Sequence, residues 1–264
     1  MAAPGTTSCS YRWTCSWGSR TNSTPGPSGA CCSTCSRRST AFDNHDQVRS
    51  WDRYGDGVHD LEIAKLIATL LLTSKATALL YQGQEIGQVT MPPVRVEDVR
   101  DPIGITGWPK EKGRDGERTP MQWDTSNSQA GFSSNARTWL PVPANYESIN
   151  AQSELADPAS LLSWYRQLIQ LRRSEAALRD GRTIMLDQRN PSVLSYVRVA
   201  GHGNAVVVAL NMTATAQTVV LELSDAGLGA SLTTLLASPG LICVDRRART
   251  VTLAPFGTWV GTAR

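Results

Sequence analysis

The chain changes character abruptly at Ala41, and that break decides where a core can form. Residues 1–40 contain no Leu, Ile, Val, Phe, Asp, Glu or Lys, and sixteen of the forty are Ser or Thr. Such a segment has almost no apolar surface to bury, so burial cannot offset the entropy lost on ordering it. From Ala41 onward the text is ordinary globular sequence. Apolar residues make up 41% of the whole chain and charged residues 19%, enough for a real core, drawn from residues 41–264. Charge follows the same break. The first forty residues hold four arginines and no acid, a charge of +4 out of a total of +3, which leaves −1 for the rest. The basic excess therefore belongs to the first forty residues, and neither nucleic acid nor a membrane is an expected partner. No run of eighteen apolar residues occurs and the start lacks the apolar stretch of a secretory signal, so the expectation is a soluble, cytoplasmic chain.

Five of the six cysteines lie before the break: Cys9, Cys15, Cys31, Cys32 and Cys35. Cys32 and Cys35 form a C-x-x-C that reads as half a zinc site or as a redox pair. A zinc site wants a second ligand pair, and only His45 lies close downstream. A disulfide framework would want an export signal. A tail that stays unfolded accounts for the same composition, and so does translation of a GC-rich coding region in the wrong frame. No metal or cofactor is expected.

Beyond the break, a short apolar start at Thr40 ends in Asn44-His45-Asp46. Leu61–Ser74 repeats apolar residues at helical spacing and predicts a buried helix. Ala76–Tyr81 is a short apolar run closed by Gln82-Gly83 and predicts a strand. Strand, helix, strand is the order of a βαβ unit in a parallel sheet. A polar stretch over residues 84–156 follows, and loops of that length in compact domains are usually functional. Asp157-Pro158 is expected to open a helix whose stripe is Leu161, Trp164, Tyr165, Leu168, Ile169 and Leu171, with Gly181 ending it. From Thr183 the pattern changes to period two and β-branched runs, at 193–199, 205–211, 217–223, 250–254 and 257–263, with a turn at 201–204. These predict an antiparallel β-sandwich of about eighty residues.

A strand ending in Asn-His-Asp puts an imidazole and a carboxylate at the carboxyl edge of a parallel sheet, where α/β barrels hold their active sites. The tripeptide alone fits equally an Asp46 that caps the next loop and a His45 satisfied in a core. The long loop adds to it. Residues 107–123 read GWPKEKGRDGERTPMQW, with Arg114 and Arg118 four apart beside Asp115, Glu117 and tryptophans. Arginine offers a fixed fork for carboxylates, and tryptophan a flat face for sugar rings. A solvated charged loop has the same composition.

The segments DNHDQVRSWDRYGD (43–56), ALLYQGQEIG (78–87), DPIGITGWPKEKGRDGERTPMQWD (101–124) and the run from Ala144 to Arg173 closely resemble glycoside hydrolase family 13 α-glucosidases, most of all the oligo-1,6-glucosidase group of the α-amylase superfamily. RTPMQW is the most specific marker. The resemblance implies an α/β plus all-β chain: the last two βα units of a (β/α)8 TIM barrel, followed by a C-terminal antiparallel β-sandwich. The implied domains are a disordered or out-of-frame tail over 1–40, the C-terminal part of the catalytic barrel over 41–182, and the sandwich over 183–264.

The family hydrolyses α-glucosidic bonds with retention through a covalent glycosyl-enzyme, using two aspartates and a glutamate. The resemblance assigns Asp46 as the transition-state stabiliser, gripping sugar hydroxyls as the ring flattens. His45 is expected to hydrogen-bond the same glucose, and Arg114 and Arg118 to orient carboxylates around the pocket. Arg49 is expected to line the site for the leaving sugar. The implied partners are α-linked glucose oligosaccharides. The family's nucleophile motif, glycine-x-arginine-x-aspartate, and its acid/base glutamate have no counterpart in these 264 residues. Glu85 and Glu111 are weak stand-ins. The expectation is a chain inactive alone, or one working with a missing N-terminal barrel half. A sugar-binding module built on Trp259 and Tyr196 is a third reading, short of an evident aromatic platform.

Overall fold

The computed structural model describes residues 39–201, 204–229 and 231–263. The five-cysteine pattern, the tail up to residue 38 and residues 202–203 of the 201–204 turn lie outside the described residues. β1 (Ser39–Ala41) leads through α1 (Ser50–Tyr54) into α2 (Asp60–Thr73) and β2 (Thr77–Leu79). β1 and β2 pair in parallel, Ser39 opposite Thr77 and Ala41 opposite Leu79, so strand, helix and strand follow in the expected order. β1 starts two residues ahead of Ala41, and the compositional break runs through a strand. A ladder is made of backbone groups, which Ser39 and Thr40 supply as well as any residue. The strand expected over 76–81 shrinks to three residues, with Leu79 and Leu80 exposed at 50% and 44%.

The polar stretch after β2 carries short helical turns in place of plain coil. Single 3-10 turns occupy Gln84–Ile86, Val96–Asp98, Asp115–Glu117 and Ala144–Glu147. α3 (Pro102–Gly107) is capped by the Asp101 side chain with proline in its first turn, and α4 (Ala151–Ala156) is capped by Asn150. α5 (Leu161–Ser174) starts later than the Asp-Pro pair suggested. Ser160 is the cap, its Oγ accepting from Ser163 N–H at 3.1 Å, and Asp157-Pro158 sit in the preceding turn. Leu161, the first residue of the apolar stripe, is thus also the first of the helix. α5 ends at Ser174, and Gly181 follows a separate short helix, α6 (Ala176–Asp180).

α2 and α5 pack through Ala68, Leu72, Leu161, Trp164, Tyr165 and Leu168. The Trp164 indole N–H donates to the Lys65 carbonyl and Thr69 Oγ1, both at 3.1 Å, so its one polar atom is satisfied in the core. Arg172 donates to the carbonyls of Leu72, Ser74 and Ala76 at 2.6–2.9 Å. A cation thereby closes the carbonyl end of α2, where unpaired acceptors and the helix dipole both favour it.

Eight strands follow: β3 (Arg182–Met185), β4 (Val193–Val199), β5 (Ala205–Asn211), β6 (Gln217–Val220), β7 (Leu232–Ala237), β8 (Leu241–Asp245), β9 (Thr250–Leu253) and β10 (Thr258–Ala263). They form a five-stranded sheet in the order β3-β4-β5-β10-β7 and a three-stranded sheet in the order β6-β9-β8, both antiparallel. One core joins the sheets, with Val197, Val207 and Trp259 against Val219, Val251 and Leu253. Gly261 is part of its fit: a Cβ there would lie 2.2 Å from the Trp259 ring. The other face of the larger sheet, Tyr196, Val206, Val208, Leu210 and Val260, meets Leu66 of α2 and Ala177 and Leu178 of α6. With both faces covered, every residue of β5 is buried, which explains an unbroken AVVVALN in an antiparallel sheet.

The two parts are also tied by polar atoms. Buried Arg198 donates to the carbonyls of Thr73 (2.7 Å) and Gly181 (2.9 Å), and the Tyr196 and Thr73 hydroxyls lie 2.5 Å apart. Trp259 and Tyr196 are both buried, so neither offers a face to a sugar. Among the described residues no helix is long and apolar enough to cross a membrane.

Candidate active site

The chain leaving β1 turns sharply over Asn44-His45-Asp46. Asn44 Oδ1 accepts the Asp46 N–H at 2.8 Å, and Asn44 bridges to Gln47, the side-chain-to-backbone closure that asparagine favours in turns. The base of the turn is pinned from inside. Buried Asp43 accepts from the Ser50 N–H (2.6 Å) and Oγ (3.1 Å), and the Arg49 N–H donates to Thr90 Oγ1 at 2.9 Å. What remains outside is the part with chemistry, His45 and Asp46.

The long loop reaches this turn from residues 68 and 72 positions downstream. Asp46 Oδ1 accepts from Arg114 Nη1 at 2.8 Å and from Arg118 Nη2 at 3.1 Å, while His45 Nε2 lies 3.4 Å from Asp46 Oδ2. Arg118 Nε also donates to the His45 carbonyl at 3.0 Å. The sequence-predicted Asp46, His45, Arg114 and Arg118 therefore meet in one exposed cluster. Charge-assisted bonds of this kind hold a carboxylate in a set orientation.

Arg114 is itself held from behind by a residue that motif reading did not single out. Its Nε donates to Asp101 Oδ2 at 2.7 Å and its Nη2 to Oδ1 at 3.2 Å, a two-point grip on a fully buried carboxylate. The Arg114 side chain holds the Asp101 carboxyl well below the usual carboxylate range, and Asp101 in turn holds Arg114 charged. Asp101 receives its own neighbours' N–H groups too, from Ile103 and Arg114, and Asp115 Oδ2 accepts the N–H of Arg100 and Asp101. Two carboxylates, Asp46 and Asp101, balance two guanidiniums. The available signal for Asp101 was the Asp-Pro pair opening α3.

Arg49 corrects the expectation made of it. It is fully buried and lines no open surface. Its Nη1 donates to the Gln82 carbonyl (2.8 Å), its Nη2 to the Glu117 carbonyl (3.0 Å), and its guanidinium lies over the Tyr81 ring at 5.3 Å. Arg49 thus fastens the turn, the segment after β2 and the Asp115–Glu117 turn to one another. Burial pushes the carboxyls of Asp43, Glu85 and Glu117 up from their ordinary values and pulls Arg49 down, with Arg49 opposing the rise in each acid. Glu85 is half-buried, its charge felt by Arg49 and Glu154, and Asp46 is not among its partners. Glu111 is exposed and accepts the Gly113 N–H at 3.0 Å. Among the described residues no group of three or more His, Cys, Asp or Glu is arranged to hold a metal.

Comparison with known proteins supplies the family. Over 180 residues the chain is 41% identical to a probable alpha-glucosidase of Rhizobium meliloti, covering 67% of this chain and 32% of that protein. It is 36% identical over 185 residues to an oligo-1,6-glucosidase of Parageobacillus thermoglucosidasius, covering 63% and 33%. Among solved structures, the trehalulose synthase of Pseudomonas mesoacidophila MX-45 superposes with a TM-score of 0.71 at 28% identity, over 86% of this chain and 43% of that one. A mutant isomaltulose synthase from Erwinia rhapontici NX5, in complex with its natural substrate sucrose, gives 0.70 at 29% identity over the same shares. The chain thus spans about a third of the length of the curated relatives it matches. The model of the alpha amylase catalytic domain matches residues 28–181, and with that match over more than half its length this chain belongs to the alpha-amylase family.

Proposed function

We propose that the chain carries the C-terminal part of a retaining α-glucosidase active site, acting on terminal α-glucosidic bonds of short gluco-oligosaccharides. In this reading residues 41–182 are the last two βα units of a (β/α)8 barrel and residues 183–264 a C-terminal β-sandwich. The observation that carries it is the exposed Asp46 carboxylate, fixed by Arg114 and Arg118 on a turn at the carboxyl end of a parallel strand. That is the edge at which barrel enzymes place their reacting groups.

Asp46 has one oxygen committed to the arginines, and Oδ2 faces His45. Acceptor and imidazole together can take a pair of adjacent sugar hydroxyls. As the anomeric carbon gains positive charge, these hydroxyls become better donors, and a carboxylate held in place before the reaction strengthens its grip at that moment. The paired arginines hold the Asp46 carboxyl in one orientation; Asp101 keeps Arg114 from swinging away. Bond cleavage with retention also needs a nucleophile and an acid/base carboxyl. No glycine-x-arginine-x-aspartate occurs in these 264 residues, and in this reading an N-terminal barrel half supplies the nucleophile and the acid/base carboxyl.

The test is release of p-nitrophenol from p-nitrophenyl α-glucoside, by the full chain alone and mixed with the N-terminal half of a related α-glucosidase. The expected result is no turnover alone and turnover in the mixture that falls at least about 100-fold in Asp46→Asn. Unchanged turnover in that variant overturns the assignment.

A further inference from the structure

Tyr165 belongs to the apolar stripe of α5, yet it brings a hydroxyl into the core that a neighbour must satisfy. Its oxygen accepts from Gln84 Nε2 at 2.9 Å, and that is its one hydrogen bond among the described residues. Burial, with the Asp43 carboxylate as the next cause, pushes the hydroxyl up from its ordinary value, so it keeps a proton to donate.

A small cavity lies against this hydroxyl, and Asp43, Gln84 and Gln88 supply the rest of its polar side chains together with Ser50. Asp43, Gln84, Gln88 and Tyr165 are each at most 4% exposed, so the chain's own packing encloses them. The two Asp43 oxygens each accept one bond from Ser50, which leaves the carboxylate capacity for more. Gln88 donates from Nε2 to Thr119 Oγ1 (2.9 Å) and to the Pro120 carbonyl (3.0 Å). A carbonyl only accepts, which fixes the end of the amide that carries nitrogen. The other end, Oε1, is buried with no partner among the described residues. Trp51, Ala64 and Ile67 close the apolar side, and Trp51 packs so tightly on Gly87 that a Cβ there would lie 2.6 Å from its ring.

The space open to the centre of a water-sized sphere is about 10 Å³, the room that one water needs. A cavity of that size stays dry when its walls are apolar and fills when two to four polar groups line it. We propose that this cavity is the site of one bound water, which accepts from the Tyr165 hydroxyl and donates to Asp43 and to Gln88 Oε1. The second hydrogen on Gln84 Nε2 is available to its remaining lone pair. The water joins three segments: α5, the stretch after β2, and Asp43 at the base of the Asn44-His45-Asp46 turn. Asp43 already accepts the Ser50 N–H at 2.6 Å, and a further bond fixes the plane of its carboxylate under that turn. The site stands whether or not Asp46 meets a sugar.

Oxygen-17 relaxation dispersion on the full chain tests this, because it counts waters held for longer than the protein tumbles and does not see exchanging hydroxyl protons. The wild-type amplitude is expected to exceed by one water that of Ala64→Val, which fills the cavity. Tyr165→Phe, which removes the donor, is expected to lose the same water. In Tyr165→Phe the Ser50 amide exchanges at least about threefold faster, while the amides of β4 and β5 keep their wild-type rates. Thermal unfolding checks that both variants are folded, and Ala64→Val carries the count by itself if Tyr165→Phe is not. A wild-type amplitude in either folded variant overturns the bound water. Loss of the water with Ser50 exchange unchanged overturns its part in holding the turn.

Discussion

β5 and the β1-β2 pair are strands of opposite circumstance. All seven residues of β5 are buried, between the smaller sheet on one face and α2 with α6 on the other. The β1-β2 pair consists of two three-residue strands with no third neighbour among the described residues, and its outer positions, Ser39, Ala41, Thr77 and Leu79, are exposed. Both lie in sequence that reads as strand. The difference is in what covers them, and coverage decides where the stability of this chain resides. A two-stranded ribbon gains little by itself; a strand with two neighbours and two covered faces gains from every side chain.

Truncations measure that contrast most directly. Trp259→Ala removes the largest fully buried side chain, from the core between the two sheets. It is expected to cost about 3–5 kcal/mol. Leu79→Ala, half in water, is expected to cost less than about 0.5 kcal/mol. Urea unfolding of the two variants reads both numbers, and equal losses would show that β2 is covered by something the contacts do not reveal.

The next effect concerns the joint. Arg198→Ala leaves the carbonyls of Thr73 and Gly181 without their buried donor. The expected loss is about 1.5–3 kcal/mol, the range for hydrogen bonds to charged groups. Hydrogen exchange should place the loss at the last turn of α2 and the start of β3. Exchange rates raised evenly across β4 and β5 instead would show that Arg198 serves the sheet and not the joint.

The smallest effect separates the two regions by pH. Every buried acid among the described residues lies before β3; the sheets bury Ser195, Arg198, Asn211, Ser238 and Thr258 but no carboxyl. Asp43, Glu85 and Glu117 have folded values raised by burial. The folded state then holds more protons than the unfolded one above about pH 4, the ordinary carboxylate range, and stability falls as pH rises through the raised values. Asp101, whose folded value is lowered, acts oppositely: its contribution is present above about pH 4 and is lost in acid. Amide protection around Arg49 should therefore peak in mild acid, while β4 and β5 stay level across the same range. Parallel pH profiles in the two regions would defeat this division.

Residues 193–199 and 205–211 are strands with the bounds that their β-branched runs suggest, and α2 lies within one residue of the span read from its periodicity. Strand β3 and strands β7 and β8 were not read as separate elements. β7 and β8 lie on edges with several exposed apolar positions, and without a clean alternation a short strand has no local signature. At the candidate site, the meeting of Asp46 with Arg114 and Arg118 was legible from the Asn-His-Asp and RTPMQW segments. Arg49 was misread for the opposite reason. An arginine next to a motif looks the same in sequence whether its guanidinium faces solvent or two carbonyls, and only the neighbouring loops decide which.

Composition and periodicity by themselves pointed to a helix joining two strands in parallel order and to antiparallel β in the second half. These properties are local: they depend on which side chains recur at spacing two or three to four. That Arg49 is buried, that Asp101 stands behind Arg114, that β5 is covered on both faces, and that Phe132 and Trp139 share one groove were decided by tertiary structure alone. Each is a meeting of segments distant in the chain or tied by side-chain bonds across a loop, and it is set by closure and packing, which no local pattern encodes.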